Sequence, residues 1–123
     1  MGYRILLVED EGLIRITLAE TLEEAGYSVT EAVNGDEACR LLRDADEYDV
    51  LLTDIQMPGK ADGIEVARNF HQQRPTAPVV FMTGRPDTLA RVGTLGACEA
   101  LLRKPFGQRQ MLEALMGLLE PHA

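Results

Sequence analysis

The chain has 123 residues, of which 46% are hydrophobic and 26% charged; twelve Lys and Arg against twenty Asp and Glu leave a net charge of −8. That length suits one domain burying roughly two-thirds of its extended surface, and the composition excludes a disordered or collagen-like chain. The negative balance argues against direct nucleic-acid binding, because a phosphate backbone repels such a surface.

The N-terminal M-G-Y-R leads straight into an aliphatic run, which is neither a signal nor a transit peptide. That run, residues 4–8, is too short for a free-standing helix and reads as a strand buried on both faces. Leu13, Ile14, Leu18, Leu22 and Ala25 then recur at helical spacing, and Gly26 marks the stop. Residues 27–32 form a weaker strand. Ala38, Leu41 and Leu42 make a short helical stripe after Asn34-Gly35, where Asn34 or Asp36 is placed to cap. A strand at 49–53 is followed by Ile64, Ala67 and Phe70 on a helix that starts after Asp62-Gly63. The run at 78–82 is the next strand. Leu89, Val92 and Leu95 follow Pro86-Asp87 as a helix, with Pro86 suited to its first turn. A weaker strand at 98–102 precedes the last helix, which carries Met111, Leu112, Leu115, Leu118 and Leu119.

No apolar run approaches the length of a membrane span, so membrane insertion is not expected. The only two cysteines, Cys39 and Cys98, lie far apart among apolar neighbours and read as reduced, buried thiols in a cytoplasmic protein. His71, beside Gln72, Gln73 and Arg74, reads as part of a solvated face, and His122 carries no recognisable role.

Buried strands alternating with amphipathic helices predict an α/β fold: a doubly wound, five-stranded parallel sheet, (βα)5, in the strand order 2-1-3-4-5. Ligands in such sheets bind at the carboxyl ends of the strands, where the winding reverses. The residues at those ends are Glu9, Asp10 and Glu11; Asp54; Thr83 and Gly84; and Lys104 and Pro105. Acids at a strand-to-helix junction can simply decorate a helix N-terminus. That does not account for Asp54, which follows an apolar run on the neighbouring strand. Glu9, Asp10 and Asp54 together repel one another unless a cation sits among them, and hard oxygen donors without His or thiolate point to Mg²⁺.

Ten of the twelve basic residues are Arg, so Lys104 stands out as a compact ammonium suited to an anion. Pro105 after it makes a cis peptide bond in a tight turn an expectation. Thr83, with uncrowded Gly84 beside it, offers a hydroxyl donor. Carboxylate, divalent cation, hydroxyl and ammonium are the parts for moving a phosphoryl group onto an Asp. An aspartate-nucleophile phosphatase of the haloacid dehalogenase type needs a second acid where Gln56 stands, so a free-standing enzyme is not expected. Flavin binding would set a phosphate against Glu9, Asp10 and Glu11, and neither G-x-G-x-x-G nor a Walker loop is present.

The segments I-L-L-V-E-D-E, Y-D-V-L-L-T-D-I-Q-M-P-G, V-V-F-M-T-G and L-L-R-K-P-F, with N-G-D-E-A at 34–38 and D-G-I-E-V-A at 62–67, resemble in order and spacing the receiver domain of two-component response regulators. The resemblance spans residues 4–119 and implies a flavodoxin-like receiver fold. It implies that Asp54 is the phosphoacceptor, taking a phosphoryl group from the phosphohistidine of a sensor histidine kinase or histidine phosphotransfer protein. Glu9, Asp10, Asp54 and the backbone carbonyl of Gln56 would bind Mg²⁺. Thr83 would be the switch hydroxyl and Lys104 the phosphoryl-pairing lysine. Such a domain catalyses only its own phosphorylation and dephosphorylation. Output to a downstream protein partner would pass through the face of the fourth helix, fifth strand and fifth helix, about residues 86–119. The whole of 1–123 is expected to be one receiver, with no effector domain in this chain. The alternative is a receiver-like interaction module or phosphate sink with little phosphorylation-driven switching.

Three departures from the family pattern bear on the switch. Leu101 stands where an aromatic is usual, three residues before Lys104, and an aliphatic side chain cannot make the aromatic's swing with a polar tip. The M-P-G-K-A-D-G loop is one residue longer than the common form, resembling receivers found alone or appended to hybrid kinases, and puts Lys60 near the pocket rim. Arg85, two positions after Thr83, is placed to touch an incoming donor or to change water access.

Overall fold

Successive side chains of a strand point to opposite faces, so strands apolar throughout must feed two cores. A computed structural model describes residues 2–44 and 47–119; His122 lies outside the described residues. Strands β1 (Arg4–Val8), β2 (Ser28–Ala32), β3 (Val50–Asp54), β4 (Val79–Thr83) and β5 (Glu99–Arg103) alternate with helices α1 (Gly12–Glu24), α2 (Gly35–Asp44), α3 (Gly63–Gln73), α4 (Leu89–Val92) and α5 (Gln108–Leu119). All pairings are parallel, in the order β2-β1-β3-β4-β5. This is the doubly wound, flavodoxin-like receiver topology. No helix among the described residues is long and apolar enough to cross a membrane.

The alternation works as the pleat requires. Leu6, Val8, Leu51, Val79 and Phe81 pack with α2 and α3 through Ala38, Leu42, Val66 and Phe70. Ile5, Leu7, Val50, Leu52, Val80 and Met82 pack on the other face with α1 and α5 through Leu18, Leu22, Met111 and Leu115. Each fully buried Leu or Ile contributes about 1.5–3 kcal/mol, which holds the central strands β1 and β3 rigidly under the site.

Helix starts follow local chemistry. Asn34 caps α2 by accepting from the Glu37 N–H at 2.8 Å. Asp36, the other capping candidate, instead accepts from the N–H groups of Lys60 and Ala61 at 3.2 and 3.1 Å and so ties down the loop after β3. Asp62 caps α3, accepting from Glu65 at 3.0 Å. Gly63 needs its missing side chain: a Cβ there would stand 2.1 Å from the Asp54 carbonyl oxygen.

Several expectations need correction. The last three strands each run one residue later than the apolar runs; before the start of β3, Asp49 donates its N–H to the Arg4 carbonyl at 2.8 Å and its carboxylate accepts from the Arg4 N–H at 2.8 Å. The shift makes Asp54 the last residue of β3 and Thr83 the last of β4. The fourth helix does not reach Leu95. A 3-10 turn at Pro86–Thr88 leads into a single α-turn that stops at Val92, because Gly93 takes φ of +75°. Leu13 and Ala25 lie outside the core, and Leu13 is 81% exposed. Cys39 is buried but Cys98 only half-buried, and both are free. His71 is not solvated either: it is half-buried, stacks on Phe70, and shares a 3.1 Å hydrogen bond with the Ala77 carbonyl.

Candidate functional site

The carboxyl ends of β1 and β3 lie side by side at the reversal of winding, and they bring the acids together. Glu9 is fully buried and Asp54 is 8% exposed, while Asp10 is exposed. One carboxylate oxygen from each of Glu9, Asp10 and Asp54 lies within 4.8 Å of the others. Lys104 reaches into this cluster from the end of β5, its Nζ donating to Glu9 Oε1 at 2.9 Å and Asp54 Oδ2 at 3.3 Å. The Lys104–Pro105 peptide bond is cis.

One ammonium does not balance three carboxylates. Burial raises the Asp54 carboxyl, the charge of Glu9 adds to this, and Lys104 offsets only part, leaving it at about 6. For Lys104, burial works against the charge, but the hydrogen bond to Glu9 and the charges of Asp54 and Glu9 outweigh it and hold the ammonium above its ordinary range. The donor set is therefore short of positive charge and made of hard oxygens, which fits Mg²⁺ and does not fit zinc or copper. Gln56 is half-buried in the loop just past Asp54.

Thr83 follows Met82, the Cα partner of Asp54 across β3 and β4. Its hydroxyl is turned into the loop that follows. It accepts from the Arg85 N–H at 3.0 Å and lies 2.7 Å from the hydroxyl of Thr88. Gly84 and Arg85 are exposed, and the Arg85 side chain faces Asp87 across 3.7 Å at the surface. Leu101 is half-buried and is the register partner of Phe81, so the aromatic ring of this strand pair comes from β4. Lys60 is exposed on the loop that Asp36 holds.

Three contributors, Arg15, Arg91 and Thr88, carried no sequence signal, and Asp62 showed only as the residue before a helix start. Arg15, on α1, donates to the Glu9 carbonyl at 3.0 Å and to Glu31 Oε1 at 3.0 Å, fixing the loop that bears the acids. Asp62 pairs with Arg91, which anchors α4 to the start of α3. Thr88 is 1% exposed. Nothing in the spacing of Arg15, Arg91 or Thr88 sets them apart from ordinary polar helix and loop residues; only the fold makes them neighbours of the site.

The family model for the response regulator receiver domain matches residues 5–116. Among curated proteins, the chain is 38% identical over 117 residues to the transcriptional regulatory protein ResD of Bacillus subtilis, covering 94% of this chain and 48% of ResD. It thus spans about half the length of the curated relatives it matches. Among solved structures, a response regulator receiver protein from Sinorhizobium medicae superposes with a TM-score of 0.88 at 30% identity, covering 96% of this chain and 94% of that one. The response regulator TrrA of Thermotoga maritima, solved in complex with Mg²⁺ and BeF, gives 0.82 at 33% identity, over 95% and 99% of the two chains. With fold, acid cluster and sequence in agreement, the chain belongs to the response regulator receiver domains of two-component signalling.

Proposed function

We propose that Asp54 accepts a phosphoryl group from the phosphohistidine of a sensor histidine kinase or histidine phosphotransfer protein, in a Mg²⁺-dependent reaction. The observation that carries this reading is the buried cluster of Glu9, Asp10 and Asp54, incompletely balanced by Lys104. A carboxylate oxygen of Asp54 attacks phosphorus in line, the P–N bond to the donor imidazole breaks, and its electron pair stays on the ring nitrogen. Glu9, Asp10, Asp54 and the Gln56 carbonyl are the groups that would hold Mg²⁺, which offsets negative charge on the transferring oxygens. Lys104 exchanges its carboxylate partners for a phosphoryl oxygen, and the Thr83 hydroxyl donates to another. Receivers are not classical enzymes; this one is proposed to catalyse only its own phosphorylation and dephosphorylation. A cytoplasmic setting suits the two free thiols.

The donor's docking surface is proposed to be the apolar groove of Ile14, Leu18, Pro105 and Phe106, which shares with the acid cluster the side chain of Lys104 in its wall. Readout is proposed to pass through α4, β5 and α5, because the Thr83 side chain is bonded into the turn that begins α4. The completeness of the acid, hydroxyl and ammonium set favours phosphoryl transfer over a module that only binds.

An amide ¹H–¹⁵N titration with Mg²⁺ and then beryllofluoride tests the reading. Saturable shifts are expected around Glu9, Asp10, Asp54, Thr83 and Lys104, extending into residues 86–119, with Asp54→Asn silent to beryllofluoride. A wild type that does not respond would remove the phosphoacceptor role.

A further inference from the structure

Thr88 is a buried hydroxyl with no place in the mechanism above. Its Oγ1 donates to the Arg85 carbonyl at 2.7 Å and lies 2.7 Å from Thr83 Oγ1. A hydroxyl has one proton. With the Thr88 proton on Arg85, the proton in the Thr83–Thr88 bond must belong to Thr83. The other acceptor within reach of Thr83, the same Arg85 carbonyl, is farther away at 3.2 Å and already receives Thr88 and the Thr88 N–H. The shorter distances favour the arrangement in which the one proton that Thr83 has for a phosphoryl oxygen is held by Thr88.

We propose that Thr88 is a positioning residue that holds the Thr83 hydroxyl away from Asp54 in the unphosphorylated chain and transmits its release to α4. The proposal rests on the reading of Thr83 as a phosphoryl-binding hydroxyl. When Thr83 turns to the phosphoryl group, Thr88 Oγ1, in a residue only 1% exposed, loses its donor and keeps only its own bond to the Arg85 carbonyl, and a buried acceptor left without a partner is costly. Thr88 is the last residue of the 3-10 turn and Leu89 the first of α4, so the segment relieves that cost by moving the start of the helix. Leu101, across β4 and β5, has no polar atom with which to follow the hydroxyl. The segment is built to move: α4 is one turn long and ends at a glycine with positive φ.

The test compares beryllofluoride dissociation constants, in saturating Mg²⁺, for wild type, Thr88→Val, Thr88→Ser, Thr83→Ala and the double variant Thr83→Ala/Thr88→Val. Thr88→Val keeps the shape and removes the competitor for the Thr83 proton, so binding is expected to tighten about two- to tenfold, the range of one net hydrogen bond. Its ligand-free amide peaks for residues 83–92 are expected to lie part-way along the line from free to bound wild type. Thr88→Ser is expected to behave as wild type. In the Thr83→Ala background Thr88→Val is expected to have no effect, since nothing remains to be released. Thr88→Ala, which adds no methyl group, is the second variant should valine disturb packing. Unchanged or weaker binding in both hydroxyl-free variants, or the same effect of Thr88→Val with and without Thr83, would reduce Thr88 to a structural residue. Failure of the wild type to bind beryllofluoride at all would instead overturn the phosphoacceptor reading, and this proposal with it.

Discussion

Asp54 ionises against its surroundings: burial raises its carboxyl to about 6, the Glu9 charge reinforces this, and the unfolded chain releases the same proton near 3.8. Between those values the unfolded state deprotonates first, so metal-free stability falls as the pH rises, and the loss is complete above about 6. The shift corresponds to on the order of 3 kcal/mol. Asp54→Asn is therefore expected to stabilise the chelator-treated protein by about 1–3 kcal/mol near pH 7.5 and to flatten its pH dependence. Urea unfolding at mildly acidic and neutral pH measures both effects. A variant no more stable than wild type at neutral pH would mean that Lys104 compensates the charge in full.

Among the elements, α4 is a single turn tied to α3 by an ion pair. Asp62 both caps α3 and pairs with Arg91 of α4. Burial pushes its carboxyl up, but the Glu65 N–H and the Arg91 guanidinium outweigh burial and hold it below the usual carboxylate value. A depressed carboxyl contributes stability that is present above the unfolded value and is lost as the pH falls through the folded one. Asp62→Ala is expected to cost about 1–2 kcal/mol at neutral pH, chiefly from the lost cap, and the difference should close on acidification. Hydrogen exchange of residues 89–92 should quicken in the same variant. Unchanged exchange there would detach the Asp62–Arg91 pair from the ordering of α4.

Over the whole molecule, Mg²⁺ held at the acid cluster, as proposed, is expected to make stability a function of metal. Each tenfold rise in free Mg²⁺ beyond its dissociation constant is expected to add about 1.4 kcal/mol, read as an increase in the urea midpoint. A midpoint indifferent to Mg²⁺ would take Glu9, Asp10 and Asp54 out of the ligand role. The sheet was legible in the sequence because strands buried on both faces are apolar on successive positions rather than alternate ones, and β1, β3 and β4 each carry such a run before their polar ends. The strand-end residues were legible for the same reason, as polar groups abruptly ending those runs. The short α4 was not, since Leu89, Val92 and Leu95 keep helical spacing across Gly93, whose backbone ends the helix first. Nor were Arg15 and Thr88, because a polar residue on a helix or turn looks alike whether it meets water or a backbone carbonyl of the neighbouring loop.

Glu9 and Lys104 touch in space but lie 95 positions apart in the chain. Translation adds about 5–20 residues per second, so the first strand's acids emerge roughly 5–20 s before the lysine that sits among them. In the later part of that interval, once Asp54 has been made, the growing chain holds Glu9 and Asp54 without Lys104, and once β4 has been made the edge position beside it has no strand. Docking of the last strand brings in the missing cation and completes the sheet in one event, so the oldest residues of the pocket wait for the youngest before the pocket exists.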